Sequence, residues 1–508
     1  MASNNQRIAK NAFYLYARMF ILMLVGLYTS RVNLHSLGVD SYGVYNVVAG
    51  FVVMFSALTG ALGNAISRFI QVELGKQDND RLRLVFSTSL TIQIVVGIIM
   101  AIVIEAVGLW FIYHKMQIPD GSLSAAVWVL QFSIVSFVVG LLYVPYYSCI
   151  IAHERMSAFA YISLLEAVMK LVIAYAVVYS PFNKLISFAA LLLMNQFLIR
   201  SIYIRYCRHH FDECEFHFVL DKPLVKEMSG FVGWNLFAHG ASILSVQGVN
   251  MIMNVFFGVV VNAARAIETQ VNNAVQQFIT SFTTALVPPI TKSYAGGDKS
   301  SAYNLVFKGD RYSFYLMLLI ALPIMFESEA ILTLWLKTPP DYAAVFVQWT
   351  LAASLAKVLG GNTIFALIMA DGKIKNFQIA IAIVGLLPLP LSWLTFSLGY
   401  SVISAYIVYF VVHVVLIFVR LYYANRITGL SVKSYFVKVL LRVTVVTLIS
   451  IIVPFIARLI IPYSSYRFIY MIAITLLFTA LSILFVGMES VERKALLEGA
   501  KSFVKKVK

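Results

Sequence analysis

The stretch GKQDNDRLRLVF, residues 75–86, returns in altered form as GGDKSSAYNLVF at residues 296–307. In both copies a polar, glycine-containing turn leads into the same apolar triplet, Leu-Val-Phe. Gly38 and Gly258 are separated by a similar interval. These matches indicate an internal repeat, in which two parts of the chain are built on one plan.

The composition predicts the class of structure that each copy forms. Of the 508 residues, 60% are hydrophobic and only 12% are charged, and the mean hydropathy is +0.84. Apolar runs of about 20 residues recur along the chain, each long enough to cross a hydrocarbon core of roughly 30 Å. The runs lack the alternation typical of outer-membrane barrel strands. The sequence therefore predicts an all-α polytopic membrane protein.

Counting the apolar runs and their interruptions predicts fourteen transmembrane spans. They lie near residues 11–33, 43–72, 84–113, 123–150, 157–180, 184–206, 229–256, 261–288, 311–336, 341–369, 376–397, 400–424, 435–461 and 465–487. The N-terminus lacks a small-residue cleavage site, so the first span is expected to be a retained helix rather than a signal peptide.

Charge predicts the orientation of these spans. An even number of spans places both termini on one side, and that side carries most of the lysine and arginine. The opposite loops hold only Lys115, Lys184, Lys337, Arg458 and Arg467. By the positive-inside rule both termini are predicted to be cytoplasmic. The net charge of +16 then reflects topology and affinity for anionic lipid surfaces, and nucleic acid is not needed to explain it.

A polar stretch divides the chain. Residues 208–228 are predicted to be a cytoplasmic linker between an N-terminal lobe, 1–207 with spans 1–6, and a C-terminal lobe, 229–425 with spans 7–12. Six spans return the chain to its starting side, so the lobes would be parallel repeats. Spans 13 and 14, residues 426–488, fall outside the repeat, and a basic cytoplasmic tail follows at 489–508.

Span 8 is unusually polar. It reads NAARAIETQVNNAVQQFITSFTTALVPP from residue 262, and helical spacing places its amides and hydroxyls within an arc of roughly 100°. The stripe holds Asn262, Arg265, Thr269, Asn272, Asn273, Gln276, Thr280 and Thr283. We expect this face to line a wet cavity; the alternative is hydrogen bonding between packed spans.

Basic residues inside spans are a second signal, because a charge near a helix centre is costly unless it faces protein or water. The sequence places Arg18, Arg31, Arg68, Lys170, Arg265 and Lys357 there. Glu166 is spaced to neutralise Lys170, and Glu268 to neutralise Arg265. Arg31 and Arg68 have the alternative of reaching the headgroups. Together these cations predict a site for an anionic group such as a diphosphate.

Other patterns predict less. CRHHFDECEFH at 207–217 matches no standard zinc spacing, so neither a metal nor a cofactor is predicted. Glu105, Glu166 and Glu268 are candidates for ion coupling, and His239 and His413 are either proton relays or buried partners. No nucleotide-binding loop or hydrolase motif is present, so an enzyme is not predicted.

The stretch TSRVNLHSLGVDSYGVYNVVAGF, with its Leu-Gly and Tyr-Gly pairs at Leu37, Gly38, Tyr42 and Gly43, resembles Wzx-type polysaccharide flippases of the multidrug/oligosaccharidyl-lipid/polysaccharide exporter superfamily. The region FFGVVVNAARAIETQVNNAVQQFITSFTTALVPPITKSYAGGD is similar to that family's spans 7 and 8. The resemblance implies a MATE-like V of two six-helix lobes plus two extra C-terminal helices, in a bacterial inner membrane.

The resemblance also implies a function. The substrate would be an undecaprenyl-diphosphate-linked oligosaccharide, moved between leaflets by alternating access for O-antigen, lipopolysaccharide or capsule synthesis. Arg18, Arg31, Arg68 and Arg265 would attract the diphosphate, and Asn262, Thr269, Asn272 and Gln276 would bind sugar. The lipid tail would stay in the bilayer beside a gap between spans 1 and 8. Membrane lipids, a polysaccharide polymerase and glycosyltransferases would be partners.

Three alternatives stay open. A cation-coupled multidrug exporter would depend on Glu105, Glu166 or Glu268, although span 1 lacks the carboxylate that the drug-exporting relatives use. A glycolipid polymerase or ligase would need a large outer loop, and the predicted outer loops are short. A non-transporting scaffold would tolerate neutral substitutions throughout the cavity.

Overall fold

The computed structural model describes residues 2–76, 78–119, 121–153, 155–219, 221–372, 374–461 and 467–494. These residues are overwhelmingly helical and contain no strand, which confirms the all-α prediction. The helices, numbered along the chain, are α1 (Ala2–Val53), α2 (Ser56–Lys76), α3 (Asn79–His114), α4 (Leu123–Ala152), α5 (Met156–Ala176), α6 (Lys184–His210), α7 (Lys222–Phe257), α8 (Val259–Ala295), α9 (Lys299–Phe326), α10 (Ser328–Leu336), α11 (Ala343–Val358), α12 (Asn362–Asp371), α13 (Lys375–Leu386), α14 (Pro388–Ser397), α15 (Ile403–Thr428), α16 (Val432–Tyr435), α17 (Leu441–Ile460) and α18 (Arg467–Ser482).

Ten helical segments among the described residues are long and apolar enough to cross a membrane. They coincide with predicted spans 3–6 and 9–14. Predicted spans 1, 2, 7 and 8 fall in the long helices α1, α2, α7 and α8, whose composition is more polar. The less apolar helices are thus the first two spans of each predicted lobe. In both predicted copies, therefore, the first two spans are more polar than an ordinary membrane helix.

Two pairs of residues support the repeat. Gly38 has φ 79° and ψ 166°, and Gly258 has φ 80° and ψ −173°, a conformation essentially restricted to glycine. Asp78 caps α3 by accepting a hydrogen bond from the backbone N–H of Arg81, and Asp298 caps α9 in the same way from Ser301. The two copies of the opening motif therefore begin their helices with the same aspartate cap.

Several predicted boundaries were wrong. The second predicted span, 43–72, crosses a turn between α1 and α2. The ninth, 311–336, starts too late and runs through Glu327, where the helix breaks between α9 and the short α10. Span 10 is interrupted between α11 and α12. An apolar run reports burial in the membrane, but it does not show where the backbone turns.

The helices form two compact units: Met1–Gln270 with Leu386–Val402, and Val271–Gly385 with Ile403–Lys508. The division falls inside α8. In the first unit α4 packs against α1, α2, α3 and α6, and α7 packs against α1, α2 and α14. In the second unit α9 packs against α11, α12, α17 and α18. Spans 13 and 14 are therefore integral to the second unit.

Candidate functional site

The polar face of α8 divides into two parts with different environments. In the first unit Asn262 is fully buried. Its Nδ2 donates to the backbone carbonyl of Asn250 at 2.8 Å, and its Oδ1 accepts from Nδ2 of Asn254 at 3.0 Å. This amide cluster holds α7 against α8 within one unit, which is the packing role considered as the alternative for the stripe.

Arg265 also reaches towards α7. Its Nη2 donates to the backbone carbonyl of Val246 at 3.0 Å, and its Nη1 lies 3.4 Å from the sulfur of Met253. Thr269 is exposed, and its hydroxyl lies 3.5 Å from a carboxylate oxygen of the buried Glu268. The guanidinium of Arg265 is thus engaged within its own unit.

In the second unit the polar face of α8 is more open. Oδ1 of Asn272 accepts a hydrogen bond from the hydroxyl of Ser354 on α11 at 2.8 Å. About three turns further on, Oγ1 of Thr283 accepts from Nδ2 of Asn362 on α12 at 2.7 Å. Between these bridges, Nε2 of Gln276 has no hydrogen-bond partner among the described residues. A buried amide donor without a partner is costly unless a ligand or water satisfies it.

Lys357 lies one turn after Ser354 on the same face of α11. Part of its surface is exposed, its charge lies near that of Arg420 on α15, and no hydrogen bond or ion pair involves its amino group within the described part of the chain. Along span 10 this cation lies between Ser354 and Asn362, the two residues that donate hydrogen bonds to α8. We define the unit-2 polar surface as Asn272, Gln276, Thr283, Ser354, Lys357 and Asn362.

The remaining predicted site residues lie elsewhere. Arg31 is half-buried in α1, while the side chains of Arg18, Arg68 and His239 lie outside the described residues. Lys170 donates to Glu166 at 2.8 Å, which confirms that predicted ion pair, and Arg200 lies 4.0 Å from the same carboxylate. Both carboxylate oxygens of Glu105 accept from Nε2 of Gln131. Glu105 and Glu166 thus already have protein partners.

The polar stretch after α6 packs into the first unit. Nε2 of His153 lies 2.6 Å from Oε1 of Glu213, and Cys149, Cys207 and Cys214 are free and buried. Within the described residues no group of histidines, cysteines and carboxylates is arranged to hold a metal ion. These side chains fold the stretch onto the ends of α4 and α6.

Sequence reasoning missed a buried charge cluster in the second unit. Asp310 on α9 is 1% exposed and accepts hydrogen bonds at the interruption of span 10, where Arg420 on α15 also donates. Asp310 lies one residue before the predicted start of span 9, where a charge is ordinarily solvated, so the sequence does not mark it as a buried group. The Gly360-Gly361 pair inside an apolar run was the available signal of an interruption.

The second unit also contains an apolar groove of about 520 Å³. Side chains from α9, α11, α15 and α17 line it, including Phe314, Leu355, Phe418 and Leu448. Its lining is aliphatic and aromatic except for Thr444 and Thr447. Such a groove accommodates a hydrocarbon chain, either from a bilayer lipid or from an amphipathic substrate.

No protein-family model matches the chain, and no curated protein sequence matches it. Solved structures do resemble it. The lipid II flippase MurJ in an inward closed conformation superposes with a TM-score of 0.68 at 14% identity, over 92% of this chain and 97% of that one. An inward-facing MATE family multidrug resistance transporter gives 0.64 at 14%, over 80% and 95%.

A transporter of the MOP superfamily from Pyrococcus furiosus, described as having a binding pocket of reversed polarity, gives a TM-score of 0.58 at 14% identity. The match covers 83% of this chain and 96% of that one. At such identities the likeness concerns the backbone. The chain is therefore a multi-pass helical membrane protein with the fold that MurJ and MATE transporters of the MOP superfamily share.

Proposed function

We propose that this chain is a flippase that moves a lipid-linked oligosaccharide from the inner to the outer leaflet of a bacterial inner membrane. The observation that carries the proposal is the unit-2 polar surface, where the amino group of Lys357 and Nε2 of Gln276 are donors without a partner among the described residues. A cation beside amides and hydroxyls suits a phosphate attached to a sugar. The transport step needs no covalent chemistry.

Three kinds of side-chain surface in the second unit support this substrate class. Lys357 supplies a positive charge, the amides and hydroxyls of α8 and span 10 supply hydrogen bonds for sugar, and the apolar groove supplies a surface for a hydrocarbon tail. An undecaprenyl-diphosphate oligosaccharide has all three parts. Arg18, Arg31, Arg68 and Arg265 remain proposed contributors to diphosphate binding, as Asn262 and Thr269 do for sugar. The described geometry favours a packing role for Asn262.

The test is a binding measurement with a purified short-chain prenyl-diphosphate oligosaccharide. A charged hydrogen bond to phosphate contributes about 1.5–3 kcal/mol, so Lys357→Ala should weaken binding at least tenfold, and Lys357→Arg should retain most of it. Lys170→Ala is the matched comparison, because Lys170 is a span lysine already paired with Glu166. Equal affinity of wild type and Lys357→Ala, or equal binding of an uncharged glycolipid, would refute the proposal.

A cation-coupled multidrug exporter is the second candidate, because a MATE multidrug resistance transporter shares the fold. It predicts drug efflux driven by Na⁺ or H⁺ that depends on Glu105, Glu166 or Glu268 and survives Arg265→Ala. Glu105 and Glu166 are engaged by Gln131 and Lys170, which favours the flippase. Partner enzymes, such as a polymerase or glycosyltransferases, are proposed on the same basis as the substrate.

A further inference from the structure

Span 10 is interrupted within the second unit. Helix α11 ends at Val358, α12 begins at Asn362, and Gly360 between them has φ +66°. An interruption leaves amide and carbonyl groups without their intrahelical partners. Inside a membrane such groups must be satisfied by protein or by trapped water.

Two charged side chains from other spans satisfy them. Nη1 of Arg420 on α15 donates to the carbonyl oxygens of Lys357 and Leu359, at 3.2 Å each. On the other side of the break, Oδ2 of Asp310 accepts the backbone N–H of Gly360 at 3.1 Å. A cation thus stands at the end of α11 and an anion at the start of α12, as the helix dipoles favour.

Asp310 also joins three spans. Its Oδ2 accepts the hydroxyl of Tyr435 on α16 at 2.6 Å, and its Oδ1 accepts the hydroxyl of Thr363 on α12. The carboxylate, 1% exposed, therefore connects span 9 to the second half of span 10 and to the start of span 13. Each of these contacts uses the carboxylate as an acceptor.

The donors around Asp310 exclude a metal cation and favour the ionised carboxylate, whereas the burial of Asp310 favours its neutral, protonated form. Hard cations are bound by several oxygen ligands, but the groups around Asp310 are donors: two hydroxyls, one amide and the nearby Arg420 guanidinium. The backbone carbonyls at the break already accept from Arg420. A proton needs no such ligands, and it converts the carboxylate into a neutral group with one donor.

We propose that Asp310 is a proton-binding site that controls the hinge in span 10, and that it supplies the proton coupling of the transport cycle. The coupling part rests on the proposed function; proton binding and the hinge do not. Of the charged and titratable groups around Asp310, Arg420 on α15 and Tyr435 on α16 act on it directly. The surrounding elements also carry Lys308 and Arg311 on α9, Lys357 on α11, Asp371 on α12, His413 on α15, Lys438 and Arg442 on the segment entering α17, and Glu489 and Glu492 after α18.

The mechanism is a change in hydrogen bonding. A proton from the aqueous phase adds to one carboxylate oxygen, removes the negative charge that faces Arg420, and weakens the acceptance of the Gly360 amide and the two hydroxyls. The start of α12 then loses its cap, and the free energy for opening the hinge falls. Because Asn362 at that start donates to Thr283 on α8, the change reaches the unit-2 polar surface.

The test uses the purified full-length protein without substrate, so it is independent of the proposed function. Infrared spectra on acidification report carboxylate protonation, and amide hydrogen exchange reports opening of residues 362–371. We expect wild type to gain a protonated-carboxyl band and to exchange faster in 362–371. Asp310→Asn should lose that band and exchange fast at every pH. Glu105→Gln, which changes another span carboxylate, should retain the wild-type response.

Tyr435→Phe provides a second readout if Asp310→Asn fails to fold. It removes one donor that favours the ionised carboxylate, so the midpoint of the infrared change should move to higher pH. An unchanged band in Asp310→Asn, an unmoved midpoint in Tyr435→Phe, or pH-independent exchange in 362–371 would each overturn the proton site. A proton site that responds as expected in a protein that transports no glycolipid would refute only the proposed function and the coupling.

Discussion

Asn362, the first residue of α12, donates a hydrogen bond to Thr283 on α8 at 2.7 Å. This bond connects the movable half of the interrupted span 10 to the polar stripe of α8. Ser354, before the interruption, makes the other connection, to Asn272. Both connections are made by polar side chains that substrate hydroxyls or phosphate oxygens can replace.

The two connections should differ in their effect on α12. Asn362→Ala removes the bond at the start of α12, so amide exchange in residues 362–371 should rise severalfold. Ser354→Ala removes the equivalent bond on α11, which continues as a regular helix, and should leave 362–371 unchanged. Mass spectrometry after hydrogen exchange measures both. If amide exchange in residues 362–371 rose equally in the two variants, the bond from Asn362 would not be the one that holds α12 in place.

The two parts of the α8 stripe should differ in access to water. Asn273→Cys places a thiol at an exposed position, and Asn262→Cys places one in the buried amide cluster. A membrane-impermeant thiol reagent should label the first and not the second; the native Cys149, Cys207 and Cys214 are buried and give little background. If Asn273→Cys resists labelling in every condition, the open face of α8 contacts lipid or protein rather than water.

The two equivalent glycines should be intolerant of a side chain. Their shared conformation costs other residues about 1–3 kcal/mol, so Gly38→Ala and Gly258→Ala should each lower the thermal unfolding midpoint. Gly60 in α2 is helical, with no atom within 4 Å of an added Cβ. Its alanine variant should be neutral or stabilised by up to about 1 kcal/mol. Stability of Gly258→Ala equal to wild type would remove this support for the repeat.

The segment after α18 is held to α9 by an ion pair. Nη2 of Arg311 donates to both carboxylate oxygens of Glu492, at 2.6 and 2.7 Å, and the two side chains are 3% and 8% exposed. Arg311→Ala leaves that carboxylate without its main partner, so it should destabilise the second unit by about 3 kcal/mol. Lys308→Ala removes a half-exposed lysine 3.7 Å from the same carboxylate and should cost under about 1 kcal/mol.

The same ion pair predicts a pH dependence. Burial alone would raise the pKa of Glu492, but the backbone N–H of Glu489 and the charge of Arg311 outweigh it and hold the pKa below its usual range. The carboxylate is therefore fully ionised in the folded state at neutral pH. Its stabilisation is present above the unfolded pKa and is lost as the pH falls through the lower folded pKa. Acid unfolding curves of Glu492→Gln should show less loss in that window than wild type.

The sequence predicted the fold class, the spans and the repeat because these depend on length, hydropathy and local turn chemistry. The roles of four residues depend only on their immediate neighbours in the chain: Asp78 and Asp298 cap helices, and Gly38 and Gly258 adopt a glycine-only conformation. The stripe on α8 was also predicted, but its division into packed and open parts was not. Helical periodicity gives the direction of a side chain without identifying the neighbour that it meets.

The charge cluster was missed for a related reason. Asp310 and Arg420 lie at the ends of predicted spans, where charges are ordinarily solvated, and their partner is a backbone interruption in another span. A single sequence does not show that Gly360 brings an amide to Asp310, because that contact depends on tertiary packing. The sequence shows Lys357 as a charge inside a span, but the role of its neighbours Ser354 and Asn362 becomes visible only from their contacts with α8.

The most direct test of the proposed function is transport by the purified protein in liposomes. A fluorescent prenyl-diphosphate oligosaccharide is placed in both leaflets, and an impermeant reagent that destroys only the outer fluorescence reports its movement. The flippase proposal predicts that wild type makes the inner pool accessible and that Lys357→Ala slows this at least tenfold relative to Lys170→Ala. An inner pool that stays protected in wild-type liposomes as long as in protein-free ones would contradict it.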